Sequence, residues 1–160
     1  MPLAFEITET MTGLHHFVVP ALGDADERPC WFRITWGNAF GATLRGALAR
    51  RPIALPFRGV VCVEGLTEGE APCEGTLTLD YVAAHRLRYD LAFEAKGERY
   101  TLRADKVDVH LARPAALIKT HTTAYLEVRD AAAKVVSRGV LHFRPESLAS
   151  FVRSGRLVRG

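Results

Sequence analysis

Two side chains of opposite charge stand where an alternating pattern calls for apolar ones. Ile7 and Met11 share a parity with Glu9 between them, and the parity of Tyr100, Leu102 and Ala104 continues to Lys106, Asp108 and His110. Successive side chains of an extended chain point to opposite faces. If the apolar residues turn inward, Glu9 and Lys106 turn inward with them. A charge on an apolar face is costly unless it is paired or wet. Glu9 and Lys106 could pair with each other and close one end of a core. A β-bulge could instead add one residue and turn one of them outward. In a third arrangement both line a ligand cavity, joined by Thr122, whose parity follows from Ala124, Leu126 and Val128. A desolvated lysine or carboxylate of that kind is suited to proton transfer, with Tyr89 as a further polar partner. The candidate catalytic groups are therefore Glu9 and Lys106. The candidate ligand-lining set is Glu9, Met11, Trp36, Tyr89, Tyr100, Lys106 and Thr122.

Other chemistry has less to work with. The histidines are His15, His16, His85, His110, His121 and His142, with no HxH or HExxH spacing. Neighbours in a strand point apart, so His15 and His16 are not expected to share a metal, and no metal site is expected. His121 and His142 are expected to face solvent. Cys30, Cys62 and Cys73 are odd in number and have no CxxC spacing, which suggests neither a disulfide framework nor a zinc knuckle. They are expected to be small buried hydrophobes, with one reactive thiol as the alternative. There is no GxSxG elbow, GxGxxG turn or GxxxxGK[ST] loop, and Gly37 and Gly41 are wrongly spaced for a dinucleotide. No cofactor is expected. Trp31, Phe32 and Trp36 form an aromatic cluster at strand spacing, which suits core packing or the wall of an apolar pocket.

The elements that would carry these residues are mostly strands. Leu87, Tyr89, Leu91 and Phe93 alternate with Arg88, Asp90, Ala92 and Glu94, and Ala95-Lys96-Gly97-Glu98 turns the chain into a hairpin. The same period of two runs through Leu3, Phe5 and Ile7, through Phe32, Ile34 and Trp36, and through Leu77, Leu79 and Tyr81. Further strands are expected at Phe57–Leu66, Arg99–Leu111, Thr120–Arg129 and Lys134–Phe143, with Asp130–Ala133 joining the last two. Asn38–Arg51 reads as a short helix capped by Asn38 and stopped by Pro52, and Pro145–Val152 reads as another. About eight strands in sequence-adjacent pairs imply a mainly β fold. We expect a lipocalin-like antiparallel barrel with one or two short helices, and a β-sandwich as the alternative.

With 160 residues, 48% hydrophobic and 24% charged, the chain suits a single globular domain spanning residues 1–160. Its net charge of +3, from 21 basic and 18 acidic residues, is too mild and too dispersed to suggest nucleic acid. No apolar run is long enough to span a bilayer as a helix, and the N-terminal residues do not resemble a secretory signal. Cytoplasmic placement with reduced thiols is the expectation.

Taken in order, several segments resemble a family. Phe5-Glu6-Ile7-Thr8-Glu9-Thr10-Met11-Thr12-Gly13 is similar to the F-T-E-T-M-x-G segment of a β-rich accessory region found with cholesterol-oxidase-like glucose–methanol–choline oxidoreductases. Gly75–Leu79 looks like that region's G-x-F-x-L strand. Leu87–Phe93 with Gly97, Tyr100, Leu102 and Lys106 resembles its hairpin, Thr122–Tyr125 its D-T-T-x-L-Y strand, and Gly139–Phe143 with Phe151 its closing strand and helix. Ala104 stands where the family has glycine, and His121 where it has an aspartate. The resemblance spans about Phe5 to Phe151. It implies an accessory domain without the flavin part, working near sterols, lipids or other apolar molecules. A flavin-dependent oxidoreductase or hydrolase acting on the same compound would be its partner.

Three functions fit these readings. The first is a barrel that binds an apolar or amphipathic small molecule, lipid- or sterol-like. The second is a cofactor-independent isomerase, cyclase or hydrolase using Glu9 and Lys106 in the barrel interior. The third is a filled domain that pairs with another protein. A homodimer through an edge strand or barrel face is compatible with each.

Overall fold

The computed structural model describes residues 3–39, 51–80, 82–107, 123–143 and 156–159. Nine strands occupy them. They are β1 (Leu3–Phe17), β2 (Arg28–Ala39), β3 (Ile53–Val63), β4 (Ala71–Asp80), β5 (Arg86–Ala95), β6 (Glu98–Lys106), β7 (Thr123–Arg129), β8 (Val135–His142) and β9 (Arg156–Arg159). Each of β2 to β8 pairs antiparallel with the next. β8 returns to Thr12–Phe17 of β1, and β1 pairs with β2 from Ala4↔Ala39 to His15↔Arg28. The first eight strands therefore close into a barrel, and a sandwich is excluded. β9 lies outside that ring of pairings, against Leu3–Glu6 of β1.

Period-two alternation explains which residues fill the barrel. Met11, Phe32, Ile34, Leu55, Val61, Leu77, Tyr89, Leu102, Leu126 and Leu141 point inward and are almost wholly buried. They come from all eight barrel strands, on all sides of the interior, so most of the core is solid. Hairpins close one end. Lys96 and Gly97, both at positive φ, make the two-residue turn between β5 and β6. Between β7 and β8, Asp130 Oδ1 accepts the backbone N–H groups of Ala132 and Lys134.

Some boundaries differ from the sequence reading. Phe5↔Asn38 and Ala4↔Ala39 are ladder pairs, so Asn38 extends β2 and does not cap a helix. The rest of that expected helix, residues 40–50, and the expected helix at 145–152 lie outside the described residues. β3 begins at Ile53 and ends at Val63. Leu66 belongs to a turn in which its N–H and that of Thr67 both donate to the Val63 carbonyl.

Closing eight strands bends them sharply, and inward-facing glycines accommodate the bend. A Cβ on Gly75 would lie 1.9 Å from the Asp90 carbonyl oxygen of the adjacent strand. Backbone cannot move aside there as a flexible side chain would. Gly75→Val is expected to destabilise the fold by about 3 kcal/mol, read from the urea midpoint at unchanged slope.

Candidate functional site

β1, β3, β5 and β7 begin at one end of the barrel, and β2, β4, β6 and β8 finish there. Lys106 is the last residue of β6 and marks this end. In the β5–β6 ladder, Leu87 pairs with Lys106 and Tyr89 with Ala104, which makes Tyr89 and Lys106 diagonal neighbours on the inner face. Glu9 reaches them from β1.

The three side chains form one hydrogen-bonded group. Tyr89 O–H donates to Glu9 Oε1 at 2.8 Å, and Lys106 Nζ donates to the same oxygen at 3.1 Å and to the Tyr89 hydroxyl at 2.9 Å. Trp36 Nε1–H donates to Glu9 Oε2 over a longer 3.4 Å. The ammonium also lies 5.2 Å from the Tyr89 ring centroid and 5.9 Å from that of Phe143, within cation–π range. Glu9 is 5% exposed and Lys106 4%. Opposite charges and shared hydrogen bonds offset the cost of taking both out of water. The parity inference therefore holds for both residues. A β-bulge does occur, but at Val128/Arg129 in the β7–β8 ladder, where it leaves Glu9 and Lys106 unaffected.

A change in burial surrounds this group. Ile34, Leu55, Leu77 and Leu141 are 0–1% exposed. Two residues farther toward the Lys106 end on the same strands or just past them, Trp36, Ile53, Leu79 and Phe143 face inward yet are only half-buried. Ile7 is likewise half-buried, two residues beyond Glu9. The interior thus passes from a dry apolar core to a charged layer and then to an apolar rim.

The other sequence candidates are distributed differently. Met11 is fully buried two residues deeper than Glu9. Tyr100 does not belong to the group. It lies six residues from Lys106 along β6, roughly 20 Å at strand rise. Its ring stacks on Phe93 with centroids 5.8 Å apart, and its hydroxyl donates to Glu98 Oε2 at 3.3 Å. Parity placed it inside correctly but carried no information about depth. Thr122, Asp108, His110 and His121 lie outside the described residues. The aromatic cluster is divided: Phe32 packs on Tyr89 with centroids 5.4 Å apart, Trp36 joins the rim, and Trp31 turns outward beneath Arg33. His142 is exposed, as expected.

The opposite end holds a buried pair that the sequence reading missed. His15 Nδ1 lies 2.7 Å from Ser137 Oγ, His15 Nε2 lies 2.9 Å from the Glu64 carbonyl oxygen, and Ser137 Oγ donates to the His16 carbonyl at 2.9 Å. The signal was available, because the inward parity of Met11 continues through Gly13 to His15 and Phe17. Serine and histidine at this distance resemble a nucleophile with its base. Here both are sealed, at 0% and 1% exposure, and they tie the hairpins together.

Among the described residues, no group of three His, Cys, Asp or Glu could hold a metal ion, and no helix is long and apolar enough to cross a membrane. Burial pushes the Cys30 thiol up to about 12 and the Cys73 thiol up to about 11. Cys62 points outward and is only half-buried, so the expectation of three buried thiols fails at that position. Thiolate is the reactive species. Iodoacetamide near pH 8 is expected to alkylate Cys62 alone in the folded protein and all three cysteines in urea, as read by intact mass. Alkylation of Cys30 in the fold would contradict its burial.

Grooves among the described residues include ones on the outer wall. One of about 870 Å³ runs past Leu14, Tyr125 and Val140, with Arg103, Glu127 and Arg138 alongside. No family model matches the chain, and no curated protein matches it. Among solved structures, "Enduracididine Biosynthesis Enzyme MppR with HEPES Buffer Bound" is similar at 13% identity over 99% of this chain and 88% of that one, with a TM-score of 0.23. A likeness this low carries no argument, and the functional reading rests on the barrel and its own side chains.

Proposed function

We propose that the barrel binds an apolar or amphipathic small molecule, lipid- or sterol-like, at its Lys106 end. The polar group of the molecule meets Glu9, Tyr89 and Lys106, and its apolar body lies against Trp36, Ile53, Leu79 and Phe143. The observation that carries this reading is the half-buried apolar rim directly above a buried charged layer. Rim side chains retain exposed apolar surface that a ligand would cover, and burying such surface is the general driving force for apolar binding. A flavin-dependent oxidoreductase or hydrolase acting on the same compound is the partner that fits this role. Native mass spectrometry of freshly purified protein, compared with its denatured mass, tests the reading. The expected result is a small-molecule adduct that denaturation releases. An apo mass, together with no rise in Tm across a panel of lipids and sterols, would overturn it.

A second reading is favoured by the position of one hydroxyl. Tyr89 touches both Glu9 and Lys106, so a proton can be exchanged along the three groups. On that reading the chain is a cofactor-independent enzyme, and Tyr89→Phe abolishes turnover while ligand affinity persists.

A further inference from the structure

The charge balance of the buried group restricts the ligand class, an inference that rests on the binding reading above. We infer that the site selects an uncharged molecule ending in a hydroxyl or carbonyl, and discriminates against the same skeleton ending in a carboxylate or an amine. Glu9 and Lys106 carry opposite charges 3.1 Å apart, and both are almost fully removed from water. Together they present strong local dipoles and no net charge. A carboxylate entering this layer would lose its hydration and gain Lys106 only in competition with Glu9, which would be left as a buried anion without its partner. An amine meets the mirror-image problem at Lys106.

An uncharged group meets neither problem, and the hydrogen-bond inventory suits one. An ammonium has three N–H donors. Lys106 directs two of them, to Glu9 Oε1 and the Tyr89 hydroxyl. Glu9 Oε2 accepts one long bond, from Trp36. A ligand hydroxyl can accept from the third N–H of Lys106 and donate to Glu9 Oε2, without separating the ion pair. A ketone can accept from Lys106 alone. Alcohols should therefore bind best, ketones next, and ions least.

Four probes of similar length separate the cases: decanol, methyl octyl ketone, decanoate and decylamine, titrated into the full chain with intrinsic tryptophan emission as the readout. The expected result is affinity for decanol and the ketone at least about tenfold tighter than for either ion. Decanoate or decylamine binding as well as decanol overturns the charge-balance inference and leaves the binding reading standing. If all four fail while native mass spectrometry shows an adduct, this ligand class is wrong but the cavity is real. If all four fail and no adduct exists, the binding reading fails as well. Glu9→Gln supplies an independent check, with circular dichroism confirming its fold. It leaves Lys106 without its counter-charge, so it should reverse the order in favour of decanoate, and an unchanged order would count against the inference.

Discussion

Lys106→Met is expected to lower the unfolding free energy by about 4 kcal/mol in urea titrations near pH 7. The substitution preserves much of the lysine volume, so little of the loss is cavity. It arises because the Glu9 carboxyl group, 5% exposed, is left without the ammonium that offsets its burial. Glu9→Leu should cost a similar amount by stranding the ammonium. Combining the two removes both charges, and the double variant should be less destabilised than the sum of the singles by at least about 2 kcal/mol. It should still fall short of the parent, because the Tyr89 hydroxyl then loses the oxygen to which it donates at 2.8 Å and the ammonium that donates to it at 2.9 Å. Adding Tyr89→Phe removes the hydroxyl that has lost both of these contacts and should recover about another 1 kcal/mol. Additive single effects would mean that water reaches Glu9 and Lys106 separately.

This pair shows what alternation along a strand can and cannot reveal. Parity assigns a side chain to one of two faces, and Glu9, Lys106, Tyr89 and Trp36 all take the face it gives them. It is compatible with closure and with a sandwich alike, since eight amphipathic strands in adjacent pairs have one apolar face to share, and the pairing of β8 with β1 decides for the barrel. Depth along the barrel axis is absent from that pattern. It depends on the stagger between strands, set by pairings such as Tyr89↔Ala104, and no single segment encodes it. Tyr100 therefore takes the inner face that parity gives it and lies at the end opposite Lys106. The bulge at Val128/Arg129 was equally invisible, because Val136 and Ser137 are consecutive buried residues that break the alternation. Arg156–Arg159 is too short to show a period, and only its pairing with β1 makes it a strand.

At the other end of the barrel, His15→Ala is expected to cost about 3 kcal/mol near pH 8. The imidazole is buried, edge-on to Phe17, and holds Ser137 and the Glu64 carbonyl; alanine leaves a void, removes the ring N–H partner of the Glu64 carbonyl and leaves Ser137 with its bond to the His16 carbonyl alone. The pH dependence distinguishes packing from charge. Burial is the largest influence on His15 and lowers its pKa from 6.5; Arg28 and His16 push the same way, against the hydrogen bond to Glu64. Below about pH 6.5 the unfolded chain therefore binds a proton that the folded chain does not, until the depressed folded value is reached. His15 thus withdraws stability as pH falls through that window and has no pH effect above it. The gap between parent and His15→Ala should narrow from pH 8 to about pH 5.5, while His16, His85 and His142, common to both chains, largely cancel. The hydrogen bonds alone would favour the opposite trend. An imidazolium could donate to Ser137 and Glu64 at once while Ser137 donates to His16, so no contact is lost on protonation. A gap that widened in acid would show those charge-assisted bonds outweighing desolvation. A narrowing gap means that the dry surroundings of the imidazole dominate, and the same dryness keeps Ser137 a structural hydroxyl although it lies at a nucleophile's distance from its base.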